Sequence, residues 1–371
     1  MSDERERLDA EILAWIAEDE WPSDGLRDDA RFDALARRLF TWQYEHCAPY
    51  GRFCRGRGVT PERVRSWREI PPVPTGAFKE TGLRCFPEGA TVHTFLTSGT
   101  SSLARGALHL DTLEIYEASV VPSFRRHLLP ELAAGDRCDL WVLAPSPAEA
   151  PHSSLSHMFG VLMRDLATPG SGFGVVEGDL AIDATLDRLS RSENEGSALA
   201  ICGTAFAFVH MLDALLERGR AFELPRGSRI LETGGFKGRS REIPTRELYE
   251  EIERRLGIPT SHIVNQYGMT ELGSQFHDSV LRAPEQPRRK LGPPWTRALV
   301  LDPETGAEAA QGEVGAIAVF DLANTGTVLA VLTADLGRAV GDGFEVLGRE
   351  PGAEERGCSI AADALLESEA R

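Results

Sequence analysis

Lysine is nearly absent from this chain. Of 40 basic residues only Lys79, Lys237 and Lys290 are lysines, so chemistry that needs an ammonium group has three candidates. Positive charge is short altogether, because 57 Asp and Glu residues leave a formal net charge of −17. A surface for polyanions needs dense Lys and Arg, so nucleic acid is not an expected partner. No apolar run reaches the ~20 residues of a membrane span. The opening stretch MSDERERLDAEILAWIAEDEW has neither the order of a signal peptide nor a small-residue cleavage site. The expectation is a cytoplasmic protein without integral membrane association. Cysteine is sparse and unpatterned: Cys47, Cys54, Cys85, Cys138, Cys202 and Cys358 form no CxxC pair and no Cys/His series of zinc spacing. Cys358 apart, they read as small buried hydrophobes of a reducing compartment.

What is present is ordinary globular composition, 42% hydrophobic and 26% charged over 371 residues, enough for two or three packed units. Residues 8–47 carry apolar side chains at three- and four-residue spacings and read as amphipathic helices. IPPVPTGAFKE, at 70–80, reads as an extended, proline-stiffened connector. From there strands and helices alternate. VHTFLT, DLWVLA, ALAICGT, SRILETGG and SHIVNQYG are strand-like, while AFAFVHMLDALLERG and TRELYEEIERRLG are helix-like. Asp111 and Glu114 have the spacing of a capping box opening a helix toward Leu129, and another helix is expected from about Ser154. This alternation predicts an α/β architecture with at least one largely parallel sheet. After Pro294 short strands separated by turn residues predict a smaller β-rich lobe. The expected division is 1–90 (helices and connector), 91–294 (α/β core), 295–348 (β-rich lobe) and 349–371 (a C-terminal arm).

FLTSGTSSL, at 95–103, gathers small and hydroxylated residues directly after a strand. Backbone N–H groups around Gly99, with the hydroxyls of Thr97, Ser98, Thr100, Ser101 and Ser102, can form a nest for a polyphosphate. The loop is not a Walker A sequence, since GxxxxGK[ST] is missing. Alone it has the force of any Ser/Thr-rich turn. It gains meaning from GGFKGR at 234–239, NQYGMTEL at 265–272 and TADLGR at 333–338.

In content and order these motifs resemble the adenylate-forming superfamily of acyl-CoA ligases and peptide-synthetase adenylation domains. The resemblance implies that fold (largely parallel sheets flanked by helices) and implies ATP and Mg2+ as cofactors. It assigns the ATP phosphates to Thr97, Ser98, Gly99, Thr100, Ser101 and Ser102. Gly234, Gly235, Tyr267, Gly268 and Thr270 fall to the nucleotide, and Glu271 to Mg2+, as suits a carboxylate and a hard cation. Asp335 falls to the ribose hydroxyls, both of which a carboxylate can accept, with Arg349 near the ribose or phosphate. His157, in SLSHMFG, stands where the family has a gate beside the carboxylate substrate.

Attack of a carboxylate on phosphate joins two anions and depends on positive charge at the reacting centre. Most superfamily members supply a lysine from a C-terminal domain, and the 22 residues after Arg349 are too few for one. That truncation, with PPVPTGAFKE, GGFKGR and ERGCS, resembles the LuxE-type acyl-protein synthetases over about residues 65 to 360. In that family a cysteine near the C-terminus receives the acyl group as a thioester and passes it to a reductase subunit; Cys358 stands at the matching place. A thiolate readily attacks a mixed anhydride, and Arg356 favours the thiolate. Lys237 is the first candidate for the missing cation, Lys79 the second, with Arg349 a contributor.

The expected activity is therefore ATP-dependent conversion of a carboxylic acid, a fatty acid by resemblance, to acyl-AMP. Acyl transfer to Cys358 and delivery to a reductase or other acceptor protein follow. The rival readings are a ligase that transfers directly to coenzyme A or a carrier-protein thiol, and a nucleotide-binding scaffold without chemistry.

Overall fold

Strands buried at every position, such as Leu199–Gly203 and Arg229–Glu232, are covered on both faces, the pattern of a parallel sheet flanked by helices. A computed structural model describes residues 3–18, 21, 28–97, 105–133, 135–234 and 243–349. The chain divides into two compact units. One comprises residues 1–122, 269–275 and 290–371, the other 123–268 and 276–289.

In the second unit the strands Ile263–Tyr267, Arg229–Glu232, Leu199–Gly203, Asp139–Leu143 and Gly172–Phe173 run parallel, side by side in that order. Phe276–Asp278 joins the first of them antiparallel. Helices follow the strands as the alternation predicts. Thr204 caps Ala205–Glu217 through its side chain, satisfying one of the free amides of the first turn. Ile182–Glu195 and Thr245–Leu256 end at Gly196 and Gly257, both left-handed. The core joins Phe208, Leu212 and Leu215 of one helix and Ile252 and Leu256 of another to Ile201, Ile230 and Ile263 of the strands. Each such buried side chain contributes about 1.5–3 kcal/mol relative to an exposed one.

In the first unit the strands Thr296–Leu301, Val314–Asp321, Ala330–Val340 and Gly343–Arg349 form an antiparallel meander, continued by Lys290–Leu291. Gly337 lies at its bulge, where a Cβ would come 2.4 Å from the Glu345 carbonyl oxygen; only glycine fits there. On the other edge of Ala330–Val340, Val73–Pro74 pairs in parallel with Val331 and Leu332. A separate hairpin joins His93–Leu96 to Ala107–Leu110. The helices Asp3–Ile16, Asp29–His46 and Ala48–Gly56 also belong to this unit.

Two local expectations are corrected. The connector at 70–80 is extended only at its start, since Ala77–Glu80 closes into a helical turn with Ala77 and Phe78 buried. The helix Glu114–Leu128 is not capped by Asp111: Thr112 Oγ1 accepts from the Glu114 amide at 3.1 Å. The Asp111 carboxylate instead faces Arg5 Nη2 at 3.5 Å. A buried guanidinium outcompetes a local cap for that carboxylate. Cys47, Cys54, Cys85 and Cys202 are buried and unbridged, and Cys138 is half-buried. Among the described residues no helix is long and apolar enough to cross a membrane.

Candidate active site

The hairpin fixes the mouth of the serine- and threonine-rich loop. Leu96 pairs with Ala107, and the ladder continues one residue further: the Thr97 amide donates to the Gly106 carbonyl at 2.8 Å. The Gly106 amide returns a hydrogen bond to Thr97 Oγ1 at 2.9 Å. Ser98, Gly99, Thr100, Ser101 and Ser102 lie outside the described residues, as do Gly235, Lys237, Arg356 and Cys358.

Asp335 and Arg349 are brought together by strand register. They are direct partners across Ala330–Val340 and Gly343–Arg349, and Arg349 Nε stands 3.5 Å from Asp335 Oδ1. The Asp335 side chain is 15% exposed and that of Arg349 72%, so the pair is open on the arginine side. Glu271 lies in the same unit and is 7% exposed. Burial pushes its carboxyl up to about 7; the charges of Arg349 and Lys79 pull it down and that of Asp335 pushes it further up. The charges of Asp335, Arg349 and Lys79 thus all bear on the Glu271 carboxyl, and the four groups share one electrostatic neighbourhood. Lys79 also reaches the loop: a Cβ on Gly106 would meet Thr97 Cγ2 at 2.9 Å and Lys79 Cγ at 3.6 Å.

The Glu271 carboxylate accepts from its own backbone amide, and no side chain of the described residues donates to it. Its main chain is held instead, since Asn324 Nδ2 donates to the Glu271 carbonyl at 2.8 Å. Asn324 is itself fixed by Gln43 Nε2, which donates to its carbonyl at 2.8 Å. A buried carboxylate with positioned backbone and unspent oxygens fits a cation. Among the described residues no three His, Cys, Asp or Glu side chains gather as a metal cage. A metal here would take one protein carboxylate and complete its shell from phosphate and water, the usual manner of Mg2+.

Gly234, Tyr267 and Gly268 lie in the parallel-sheet unit, at the carboxyl ends of its strands, where such sheets bind ligands. Asn265 is in register with Glu232, so Tyr267 and Gly234, two residues on, leave neighbouring strands at the same edge. Gly234 has φ 69°, and among the described residues nothing lies within 4 Å of an added Cβ. Tyr267 is half-buried and packs edge-on to Phe276 at 6.4 Å between ring centroids, and Gly268 is exposed. Thr270, half-buried, falls in the first unit with Glu271. His157 is half-buried on the helix Ser154–Asp165. The next residue, Met158, accepts from Gln266 Nε2 through its sulfur at 3.3 Å, so this helix lies beside the NQYG strand.

The acyl-protein synthetase, LuxE, family matches residues 8–366. The chain belongs to the LuxE family. It is accordingly an enzyme, a ligase of the acyl-protein synthetase class. Two curated relatives carry the name long-chain-fatty-acid–luciferin-component ligase. The one from Vibrio harveyi is 24% identical over 307 residues, covering 82% of this chain and 78% of its own. The one from Aliivibrio fischeri is 23% identical over 316 residues, with the same shares covered. Among solved structures, 2-hydroxyisobutyryl-CoA ligase with bound 2-HIB-AMP superposes with a TM-score of 0.61 at 15% identity. It covers 90% of this chain and 71% of that one. This last likeness is one of fold, that of the adenylate-forming ligases.

Two residues of this acyl-protein synthetase escaped sequence reasoning. Glu232, 2% exposed, accepts from the Gly234 amide, from Asn265 Nδ2 at 2.5 Å and from Tyr249 Oη at 3.2 Å. It ties the GG turn to the NQYG strand. The signal was there, a carboxylate ending an otherwise apolar strand just before two glycines. Asn324 gave no such signal, because ANTG reads as any turn.

Proposed function

We propose that this enzyme activates a carboxylic acid with ATP and carries the acyl group on its own cysteine. A carboxylate oxygen attacks the α-phosphorus, the bond to the β-phosphate oxygen breaks, and pyrophosphate leaves. The Cys358 thiolate then attacks the acyl carbon of the mixed anhydride and AMP departs. The acyl thioester is delivered to a reductase or another acceptor protein. Long-chain fatty acid is the substrate class, an assignment supported by the name of the two luciferin-component ligases.

The observation that carries this reading is the cluster of Glu271, Asp335, Arg349 and Lys79, joined to the base of the Thr97 loop. Within it Asp335 takes the ribose hydroxyls and Glu271 the Mg2+ that offsets phosphate charge. The loop from Thr97 takes the phosphates, and Arg349, largely in solvent, adds positive charge beside Asp335. Gly234, Gly235, Tyr267, Gly268 and Thr270 serve the nucleotide, and His157 serves the acid. Lys237 remains a catalytic candidate by sequence.

The test is pyrophosphate exchange across a panel of carboxylic acids, paired with covalent labelling by radioactive acid. Cys358→Ala keeps exchange and loses the label. Full labelling of that variant removes Cys358 from the reaction, and turnover by it with coenzyme A favours an external thiol. Absence of exchange with every acid overturns activation itself.

A further inference from the structure

The fold places Lys79 beside Thr97 and Gly106, the described residues that flank the proposed phosphate loop. Val73 and Pro74 pair with Val331 and Leu332, and the Thr75 amide donates to the Leu332 carbonyl at 3.0 Å. The connector is thus registered against the strand that carries Asp335. The chain then closes one helical turn: the Lys79 amide donates to the Gly76 carbonyl and the Thr81 amide to the Ala77 carbonyl, each at 3.0 Å. Ala77 and Phe78 are buried at 3%, and locking them inward leaves Lys79 pointing out. Its stem runs beside Gly106, the residue hydrogen-bonded to Thr97 across the mouth of the loop. Lys79 takes part in no ion pair among the described residues, although most arginines near carboxylates do.

We infer that Lys79 is a catalytic residue of adenylation, its ammonium meeting the β- and γ-phosphates of ATP beside Thr97 and offsetting the charge that leaves with pyrophosphate. The inference rests on the activation reading above and names the cation that this reading requires. As the carboxylate oxygen bonds to the α-phosphorus, the electron pair of the breaking bond passes to the β-phosphate oxygen. That charge gathers where an unpaired ammonium on a short, anchored turn is most effective. A lysine suits a departing group better than an arginine fork, because its compact charge can follow the product on a flexible stem. The placement of the Lys79 stem beside Gly106 and Thr97 is what sets this ammonium toward the phosphates.

The experiment uses Lys79→Met and Lys79→Arg in the full chain. Lys79→Met is expected to lower carboxylate-dependent exchange in kcat on the order of 100-fold, with Lys79→Arg recovering part of it. Lys79 is exposed, so the melting temperature of the free protein should not move. The second readout needs no acid: thermal stabilisation by ATP should drop in Lys79→Met while stabilisation by AMP, which lacks the β- and γ-phosphates, stays as in the wild type. An equal loss for ATP and AMP, or a Lys79→Met variant exchanging within about threefold of wild type, overturns the inference. A wild-type protein that prefers ATP to AMP but exchanges with no acid sinks the activation reading alone, and the nucleotide comparison still judges Lys79.

Discussion

Glu271 and Glu232 are both buried glutamates, one in each compact unit, 7% and 2% exposed, yet their surroundings differ completely. Glu232 accepts from a backbone amide, a carboxamide and a phenol. Glu271 accepts from its own amide, with charged neighbours at longer range. A carboxylate saturated with donors has no capacity left for a ligand, and its work is to hold segments together. One kept short of donors costs the fold stability and keeps its oxygens for something that binds. The units divide along the same line. The antiparallel unit presents full charges in Asp335, Arg349 and Lys79. The parallel unit presents neutral Gly234, Tyr267 and Gly268, and spends its carboxylate on positioning them.

The strongest way to break this contrast is to neutralise Glu271. Glu271→Gln should reduce pyrophosphate exchange on the order of 100-fold and should also make the ligand-free protein more stable near pH 8. The sign follows from the raised folded value. With a carboxyl at about 7 in the fold against 4.5 unfolded, the native state binds the proton more tightly. Stability is fully present below 4.5 and is lost as pH rises toward 7. About 2.5 units correspond to about 3 kcal/mol, which Glu271→Gln should recover at pH 8 and lose again by pH 5. Denaturant unfolding at the two values checks this. A variant no more stable than wild type at pH 8 would mean that Glu271 is satisfied within the fold and is no site residue.

Glu232 should behave with the opposite sign. Glu232→Leu removes the acceptor of the Gly234 amide and the Tyr249 hydroxyl and one of two acceptors of the Asn265 carboxamide, at about 2–3 kcal/mol of stability lost. The KM for ATP should rise with it, because the GG turn and the NQYG strand lose their common tie. Glu232→Gln, which keeps an acceptor, should recover part of both. If Glu232→Leu left stability intact and abolished exchange, Glu232 would itself be a ligand-binding carboxylate and the two glutamates would no longer contrast.

How much of this was legible in the sequence depended on whether the signal was local. Thr245–Leu256, ended by Gly257, and Ala205–Glu217, capped by Thr204, announce themselves by periodicity and termini. So do the wholly apolar strands. Glu271 and Asp335 are singled out by the sequence because each sits in a short motif of known order. Pairing across long separations was not readable. Nothing local shows that Val73 lies against Val331, so the placement of Lys79 beside Thr97 is not visible in the sequence. The cap at Asp111 was misread for the same reason, since Arg5, distant in sequence, takes that carboxylate. Asn324 holds the backbone of Glu271 from 53 residues away and could emerge only from coordinates.

The smallest expected effect separates backbone shape from contact in the neutral unit. Gly234 sits at φ 69°, a region that costs an L-residue about 1–2 kcal/mol, while the space an added methyl would enter is clear to 4 Å. Gly234→Ala therefore meets no neighbour among the described residues, and the cost expected of it is conformational. If the turn relaxes toward negative φ, its amide turns away from Glu232 and the KM for ATP rises a few-fold, with kcat nearly unchanged because the charged residues are untouched. If the turn holds, stability falls by about 1 kcal/mol, and any loss of nucleotide affinity then comes from the methyl filling the clear space. Measuring unfolding free energy and both kinetic constants on one variant distinguishes these cases. A fall in kcat as large as that of Glu271→Gln would show that the GG turn takes part in the chemistry as well as in shaping the surface, and the division of labour between the units would have to be redrawn.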